Sequence, residues 1–295
     1  PTGNEDVLDL IKIAGTVEGL TSLEMNYPEH FHKASVEEIK AAMSDAGLTM
    51  EAIQLRWPSP DFSRGGFTNT DATVRAAAVQ LVKEAIDVAR DFGAGHVIMW
   101  PAHDGYEYPL QLNYVDAWEV LIESMKEVAD YAGELKISLE YKPAEPRGRT
   151  LLDSTGSVMY LLEQCGNANL GATLDFGHLL MAQESPGQSA GMALRQNKLH
   201  GVQLNDSFGA ADDGLVVGTL HLPEMLEFVY YLRKYGYSGT YYFDTDPIRE
   251  NPVKECEMNI RRMKQIIKIA DELVQFGLIE GSSRVHVGQG TTNRK

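Results

Sequence analysis

The chain alternates two kinds of apolar pattern. Short runs rich in β-branched and aliphatic residues are separated by longer stretches whose apolar positions recur at three- and four-residue spacing. The first kind predicts strands and the second amphipathic helices. Strands are predicted at 21–27, 52–56, 96–100, 137–141, 170–175, 199–205 and 239–244. Helices are predicted at 35–46, 71–92, 114–132, 155–165, 187–196, 222–235 and 253–276, with one more at 5–14 before the first strand. Ser35 followed by Glu38 is a capping-box pattern, and Asp71 precedes a periodic stretch that it can cap. Gly93, Gly133 and Gly236 fall at or near helix ends, where a left-handed residue closes the last turn. Repeated strand–helix alternation predicts an α/β fold with a parallel sheet, a TIM (β/α)8-type barrel. Eight helices meet only seven strands, so the first barrel strand is expected upstream of Pro1. The expected domain organisation is one barrel over 1–280 and a polar tail over 281–295.

Composition narrows the function. The 295 residues carry 43% hydrophobic and 23% charged side chains, an ordinary globular balance. A formal net charge of −16 repels phosphate backbones and argues against a nucleic-acid partner. No apolar run reaches membrane-spanning length and no signal peptide opens the chain, so no membrane partner and a cytoplasmic location are expected. Cys165 and Cys256 lie in apolar helical patterns and read as free thiols rather than a disulfide framework.

In such a barrel the chemistry sits where strands end. The strand at 137–141 runs into Glu140-Tyr141-Lys142-Pro143, and residues two apart share a face, so Glu140 and Lys142 point together. A structural ion pair would account for the same pattern. The next strand ends Asp175-Phe176-Gly177-His178, with oxygen and imidazole donors suited to Mn²⁺, Co²⁺ or Zn²⁺. A capping Asp and a satisfied His would also explain that spacing. The following one ends Gln203-Leu204-Asn205-Asp206 and leads to Asp212-Asp213-Gly214, a sequence that turn chemistry also favours. The last ends Phe243-Asp244-Thr245-Asp246-Pro247. Four successive strands ending in oxygen ligands are harder to attribute to turns than any one of them.

These residues resemble the xylose isomerase family. Gly65-Gly66-Phe67-Thr68 with Asp71, Val74 and Arg75 is similar to its segment after the third strand. Glu140-Tyr141-Lys142-Pro143-Ala144-Glu145-Pro146-Arg147-Gly148 resembles its most specific signature, and Asp175-Phe176-Gly177-His178 its Glu-Val-Gly-His. Phe243-Asp244 with Pro247 and Arg249 is similar to its last-strand motif, and the Asp-rich loop is closer to the related L-rhamnose isomerases. The resemblance implies two divalent metal ions per subunit, Mn²⁺, Mg²⁺ or Co²⁺. One is expected on Glu140, Asp175, Gln203 and Asp244; the other on Asp175, His178 and Asp212 or Asp213. It gives Lys142 the substrate carbonyl, with Glu140 and Asp212 as further catalytic groups. Trp57 and Trp100 are expected to wall a sugar, with Asn26 and Phe67 also at the substrate. A homodimer or homotetramer is implied, with Phe62 or Phe67 reaching a neighbouring subunit's site.

Departures bear on specificity. Asp175 stands where the family has Glu, Gln203 where it has an acid, and Asn26 where it has the ring-opening His, for which His30 is a nearby substitute. The expected activity is metal-dependent aldose–ketose isomerisation of an unphosphorylated sugar other than D-xylose, by hydride shift. A ketose 3-epimerase and a non-catalytic sugar-binding relative are the alternatives. A metal-dependent phosphodiester nuclease is disfavoured by the charge.

Overall fold

The computed structural model describes residues 6–58 and 60–279; the tail expected at 281–295 lies outside them. The chain runs through α1 (Val7–Ala14), β1 (Ser22–Tyr27), α2 (Val36–Ala46), β2 (Thr49–Arg56), α3 (Ala72–Phe92) and β3 (His96–Trp100). It continues through β4 (Gly105–Tyr106), α4 (Tyr114–Ala132), β5 (Lys136–Glu140), β6 (Arg149–Thr150), α5 (Thr155–Cys165) and β7 (Leu170–Asp175). It ends with α6 (Phe176–Met181), α7 (Pro186–Arg195), β8 (Leu199–Leu204), α8 (Leu222–Lys234), β9 (Tyr241–Phe243) and α9 (Pro252–Phe276). Seven strands pair in parallel in the order β1-β2-β3-β5-β7-β8-β9 and curl into a nearly closed TIM-type barrel inside the helices. Parallel pairing sets every strand's C-terminus at one end of the barrel.

The caps read from the sequence form. Ser35 and Glu38 make the reciprocal capping box of α2, and Asp71 accepts the Thr73 N–H at the start of α3. Three elements differ from expectation. The strand expected at 239–244 shortens to Tyr241–Phe243. A six-residue helix follows β7 directly, capped by Asp175. β4 and β6 form a small antiparallel ribbon over the barrel mouth. Among the described residues no strand lies between the edges β1 and β9. A cleft of about 290 Å³ runs there, lined by Leu20, Leu23, Tyr241, Phe243, Ile260 and Met263. Nor is any described helix long and apolar enough to cross a membrane.

The apolar core lies mainly between sheet and helices, where Val97, Met99, Ile137, Leu139 and Leu174 meet Val82, Ile86, Leu121 and Leu161. The barrel axis is more polar. Ser138 and Thr173 share a 2.7 Å hydrogen bond there. Near the strand N-termini lie His96 and His200. A Cβ at position 171 would stand 2.5 Å from the His200 ring, so Gly171 is needed for that ring to fit. His96 Nε2 and His200 Nδ1 are buried without hydrogen-bond partners. Burial pushes His96 down to about 3 and His200 to about 4. Both folded values lie below the ordinary 6.5, so the unfolded chain takes up protons first, and stability falls as pH drops from about 6.5 toward about 4. Each ring contributes a loss of up to about 1.4 kcal/mol per pH unit in that window. Buried carboxyls elsewhere contribute in the opposite sense, so the expected result is a difference between two proteins: His96→Gln should shift the change in urea midpoint between pH 7 and pH 5 toward greater stability at the lower pH than wild type shows. Equal slopes for the two proteins would refute the assignment.

Candidate active site

The site occupies the C-terminal end of the barrel. Parity along each strand aims alternate side chains at the axis, and the register sets their heights: Asp175 pairs with Gln203, and Glu140 pairs with Thr173, one layer below Asp175. Glu140, Asp175 and His178 each offer a ligand atom within 4.8 Å of the others, and all three are buried. His178 Nδ1 stands 3.3 Å from Glu140 Oε1 and 3.8 Å from Asp175 Oδ1. Its Nε2 is 3.1 Å from Asp212 Oδ2. Asp212 Oδ2 also accepts from Lys142 Nζ at 3.0 Å, and Glu145 Oε2 meets the same ammonium at 2.9 Å. Lys142 Nζ lies 5.2 Å from the centre of the Trp100 ring, a cation–π distance.

Neighbours fix the carboxylates. Gln54 Nε2 donates to Glu140 Oε2 at 2.6 Å. Asn205 Nδ2 lies 3.0 and 3.2 Å from the two Asp175 oxygens, and the His178 N–H donates to Asp175 Oδ1 at 2.9 Å. The Gly177 N–H holds the Asn205 amide in turn, at 2.7 Å. Such supports hold ligand rotamers before an ion arrives.

Burial and like charges set the proton affinities. Burial raises Glu140, and the charges of Asp175 and Asp244 add to it. Burial likewise raises Asp175 and Asp244, with Arg56 opposing the rise in Asp244. Burial alone would lower His178, but Asp175, Asp212 and Glu140 reverse this and hold it up. Burial alone would raise Asp212, yet its contacts with His178 and Lys142 hold it well below the usual carboxylate range. Burial pulls Lys142 down, but Asp212 and Glu145 more than compensate.

Two buried atoms are left without hydrogen-bond partners in this cluster: His178 Nδ1 and Gln203 Oε1. Two carboxylates and an imidazole around one space, with an orphaned amide oxygen on the residue paired with Asp175, are donors that a divalent cation takes. The residues present therefore fit such an ion.

The other expected site residues divide. Asp244 follows β9 directly, its N–H donating to Leu204 O at 3.2 Å, and its charge raises Asp175 and Glu140. Trp57 and Trp100 line a cleft of about 530 Å³ together with Arg56, His103 and Glu145. The Trp57 indole donates to Asp104 at 2.8 Å, and Asp104 also accepts from Gly66 and Thr68, which pins the Gly-rich loop against the ring. A Cβ at position 66 would come 2.5 Å from Trp57, so only glycine allows that approach. The Asn26 backbone N–H donates to His30 Nδ1 at 3.0 Å, which places this Asn and His side by side at the end of β1. Gln203 Nε2 donates to Glu24 at 3.2 Å.

Two of the expected groups make other contacts. Asp213 does not join the cluster: its Oδ2 accepts from Ser207 Oγ at 3.1 Å and from the Phe208 N–H at 2.7 Å, tying the loop instead. Phe62 and Phe67 do not project outward. Both are buried in their own chain, Phe62 stacked on Trp57 and Phe67 set edge-on against it, so Phe67 backs the Trp57 side of the cleft. Sequence reasoning missed Gln54, Arg56, Asp104, Asn205 and the pairing of Glu145 with Lys142. Gln54 and Arg56 lie two apart on the strand that leads into Trp57, so the parity rule applied to Glu140 and Lys142 could have found them. Asp104 carries no such signal.

Over 221 residues the chain is 28% identical to the xylose isomerase of Thermus thermophilus, covering 72% of this chain and 57% of that enzyme. The xylose isomerase of Thermus caldophilus matches at the same identity and coverage. The chain thus spans 57% of the length of these curated relatives. Among solved structures, a xylose isomerase domain protein from Alicyclobacillus acidocaldarius superposes with a TM-score of 0.69 at 19% identity, covering 92% of this chain and 97% of that one. An L-ribulose 3-epimerase superposes at 0.71 with 18% identity, covering 90% and 89%. A D-psicose 3-epimerase from Clostridium cellulolyticum H10 gives 0.68 at 17% identity, covering 92% and 94%. At these identities the likeness is one of fold. Residues 14–266 match the family described as xylose isomerase-like TIM barrel, and the chain belongs to that family.

Proposed function

We propose that the protein is a divalent-metal-dependent aldose–ketose isomerase acting on a small unphosphorylated sugar. The single observation that carries this reading is the buried Lys142 ammonium, held by Asp212 and Glu145 at the edge of the acidic cluster and against Trp100. Glu140, Asp175, Gln203 and Asp244 would hold one cation, and Asp175, His178 and Asp212 a second. When bound, such ions polarise adjacent substrate oxygens and acidify a coordinated water.

The chain's own groups do the rest. Lys142 Nζ donates to the substrate carbonyl oxygen and stabilises the negative charge that develops there. Asp212 accepts from both Lys142 and His178, which keeps it ionised, so it fixes those two groups and can accept a hydrogen bond from a substrate hydroxyl. Trp57 and Trp100 wall the cleft and keep water from the carbon between which and its neighbour hydrogen moves. Gln203 in place of an acid leaves one ligand neutral, which favours a weaker or differently selective metal site than an all-carboxylate set.

Ketose 3-epimerisation is a second reading, supported by a different observation. Glu140 and Asp244 lie at the ends of separate strands, the charge of Asp244 raises Glu140, and both have raised proton affinity, as an acid–base pair would need. One experiment separates the two. Purified protein with Mn²⁺, Mg²⁺ or Co²⁺ is incubated with tetroses, pentoses, branched pentoses and deoxyhexoses in D₂O. Aldose–ketose conversion with little carbon-bound deuterium is the expected result. Inversion at C3 with deuterium incorporated would replace isomerisation by epimerisation, and no turnover on any sugar would count against both.

A further inference from the structure

Gln203 poses a geometric problem that a carboxylate would not. An amide has one oxygen that can ligate a cation and one nitrogen that cannot, and a half-turn about its last bond exchanges them. At 203 the side chain is fully buried on β8, level with Asp175, so the direction it faces decides whether it contributes a ligand. The Nε2 of Gln203 donates to Glu24 Oε2 at 3.2 Å, and Oε1 is left buried without a hydrogen-bond partner. Glu24 reaches it from β1, on the far side of the gap after β9.

We propose that Glu24 is a positioning residue that orients the Gln203 amide, taking its nitrogen so that its oxygen faces the metal cluster. The inference rests on the cation site proposed above and adds a residue to its support. A carboxyl at 24 offers Gln203 an acceptor oxygen whether ionised or protonated. An amide at 24 always carries two N–H donors, where a carboxyl carries one O–H at most, and such a donor can engage Gln203 Oε1 and remove it from the cluster. Burial favours the neutral form of Glu24, but when ionised it adds negative charge near Glu140, so orientation must be separated from charge. Position 203 supplies the means. A carboxylate there presents an oxygen whichever way it turns and needs no orienting partner.

The test is Mn²⁺ titration calorimetry on metal-stripped protein, with Glu24→Gln made in the wild-type and in the Gln203→Glu background. Melting midpoints establish that each variant is folded. In the wild-type background Glu24→Gln should weaken Mn²⁺ binding by about 10-fold, the scale of outer-partner substitutions at metal sites. In the Gln203→Glu background the same change should cost less than about threefold, because the need for orientation is gone. If Glu24→Gln fails to fold, Glu24→Asp serves in both backgrounds, since one methylene less withdraws the acceptor from Gln203. Equal penalties in the two backgrounds would mean that Glu24 acts through charge alone and would overturn the proposal. Wild-type protein that takes up no Mn²⁺ would overturn the cation site itself, and this inference with it.

Discussion

Lys142→Met is expected to lower kcat for aldose–ketose conversion by about 10²–10³-fold, the scale of removing one donor from a developing oxyanion. Mn²⁺ affinity should change by no more than about 10-fold, because Lys142 ligates neither cation itself and acts on the second only through its hydrogen bond to Asp212. Methionine keeps much of the apolar stem, and the cleft beside Trp100 should remain filled. The Lys142 side chain is 6% exposed, and loss of its ammonium leaves Asp212 with His178 as its remaining partner. Lys142→Arg should not restore the rate, since a planar fork cannot reproduce a point charge placed among Asp212, Glu145 and Trp100. The check is steady-state kinetics paired with Mn²⁺ titration. A Lys142→Met protein at the wild-type rate would remove the residue from the reaction. A large loss of metal affinity would show that it supports the ions instead.

Much of this architecture was legible before any coordinates. Parallel strands buried on both faces read as short apolar runs, and those at 96–100 and 170–175 match the observed bounds. Helices with strong caps, such as the one behind Ser35, could be placed from their first residues. The helix Phe176–Met181 could not. It has six residues, its first four are buried, and it begins where the strand before it ends, so no amphipathic period develops. β9 ends at Phe243, although the Asp244 N–H still donates to the Leu204 carbonyl of β8 at 3.2 Å.

The site divides along the same lines. Ionisable groups at strand ends announce themselves, and Glu140, Asp175 and His178 do converge. Their supports do not. Gln54 and Asn205 are ordinary polar residues until register brings them against Glu140 and Asp175. Asp213 misled because it is chemically the twin of Asp212; only the path of the loop assigns one to Lys142 and the other to the Phe208 N–H. The seat of Phe67 was not legible, because the bonds from Gly66 and Thr68 to Asp104 that draw this loop inward and set the ring against Trp57 leave no mark in the sequence.

Glu140→Gln bears on the claim that strand-end side chains converge to hold a cation. In the metal-free protein the Glu140 carboxyl is buried beside Asp175 and Asp244, all three held toward their protonated forms. Replacing it with a neutral isostere relieves like-charge repulsion and keeps an acceptor for Gln54. The metal-free variant should therefore melt no lower than metal-free wild type, as expected where a functional site carries a cost in stability. Metal should separate them. Mn²⁺ at 100 times its Kd stabilises a binding protein by about 2.7 kcal/mol. The variant should show no such gain at the same concentration, having lost more than the roughly 100-fold that outer supports are worth. Calorimetric titration of Mn²⁺ into metal-stripped wild type and Glu140→Gln makes the comparison directly. The expected outcome is saturable binding to the first and an affinity at least about 100-fold weaker for the second. Equal affinities, or no binding to wild type, would contradict a metal centre built on Glu140.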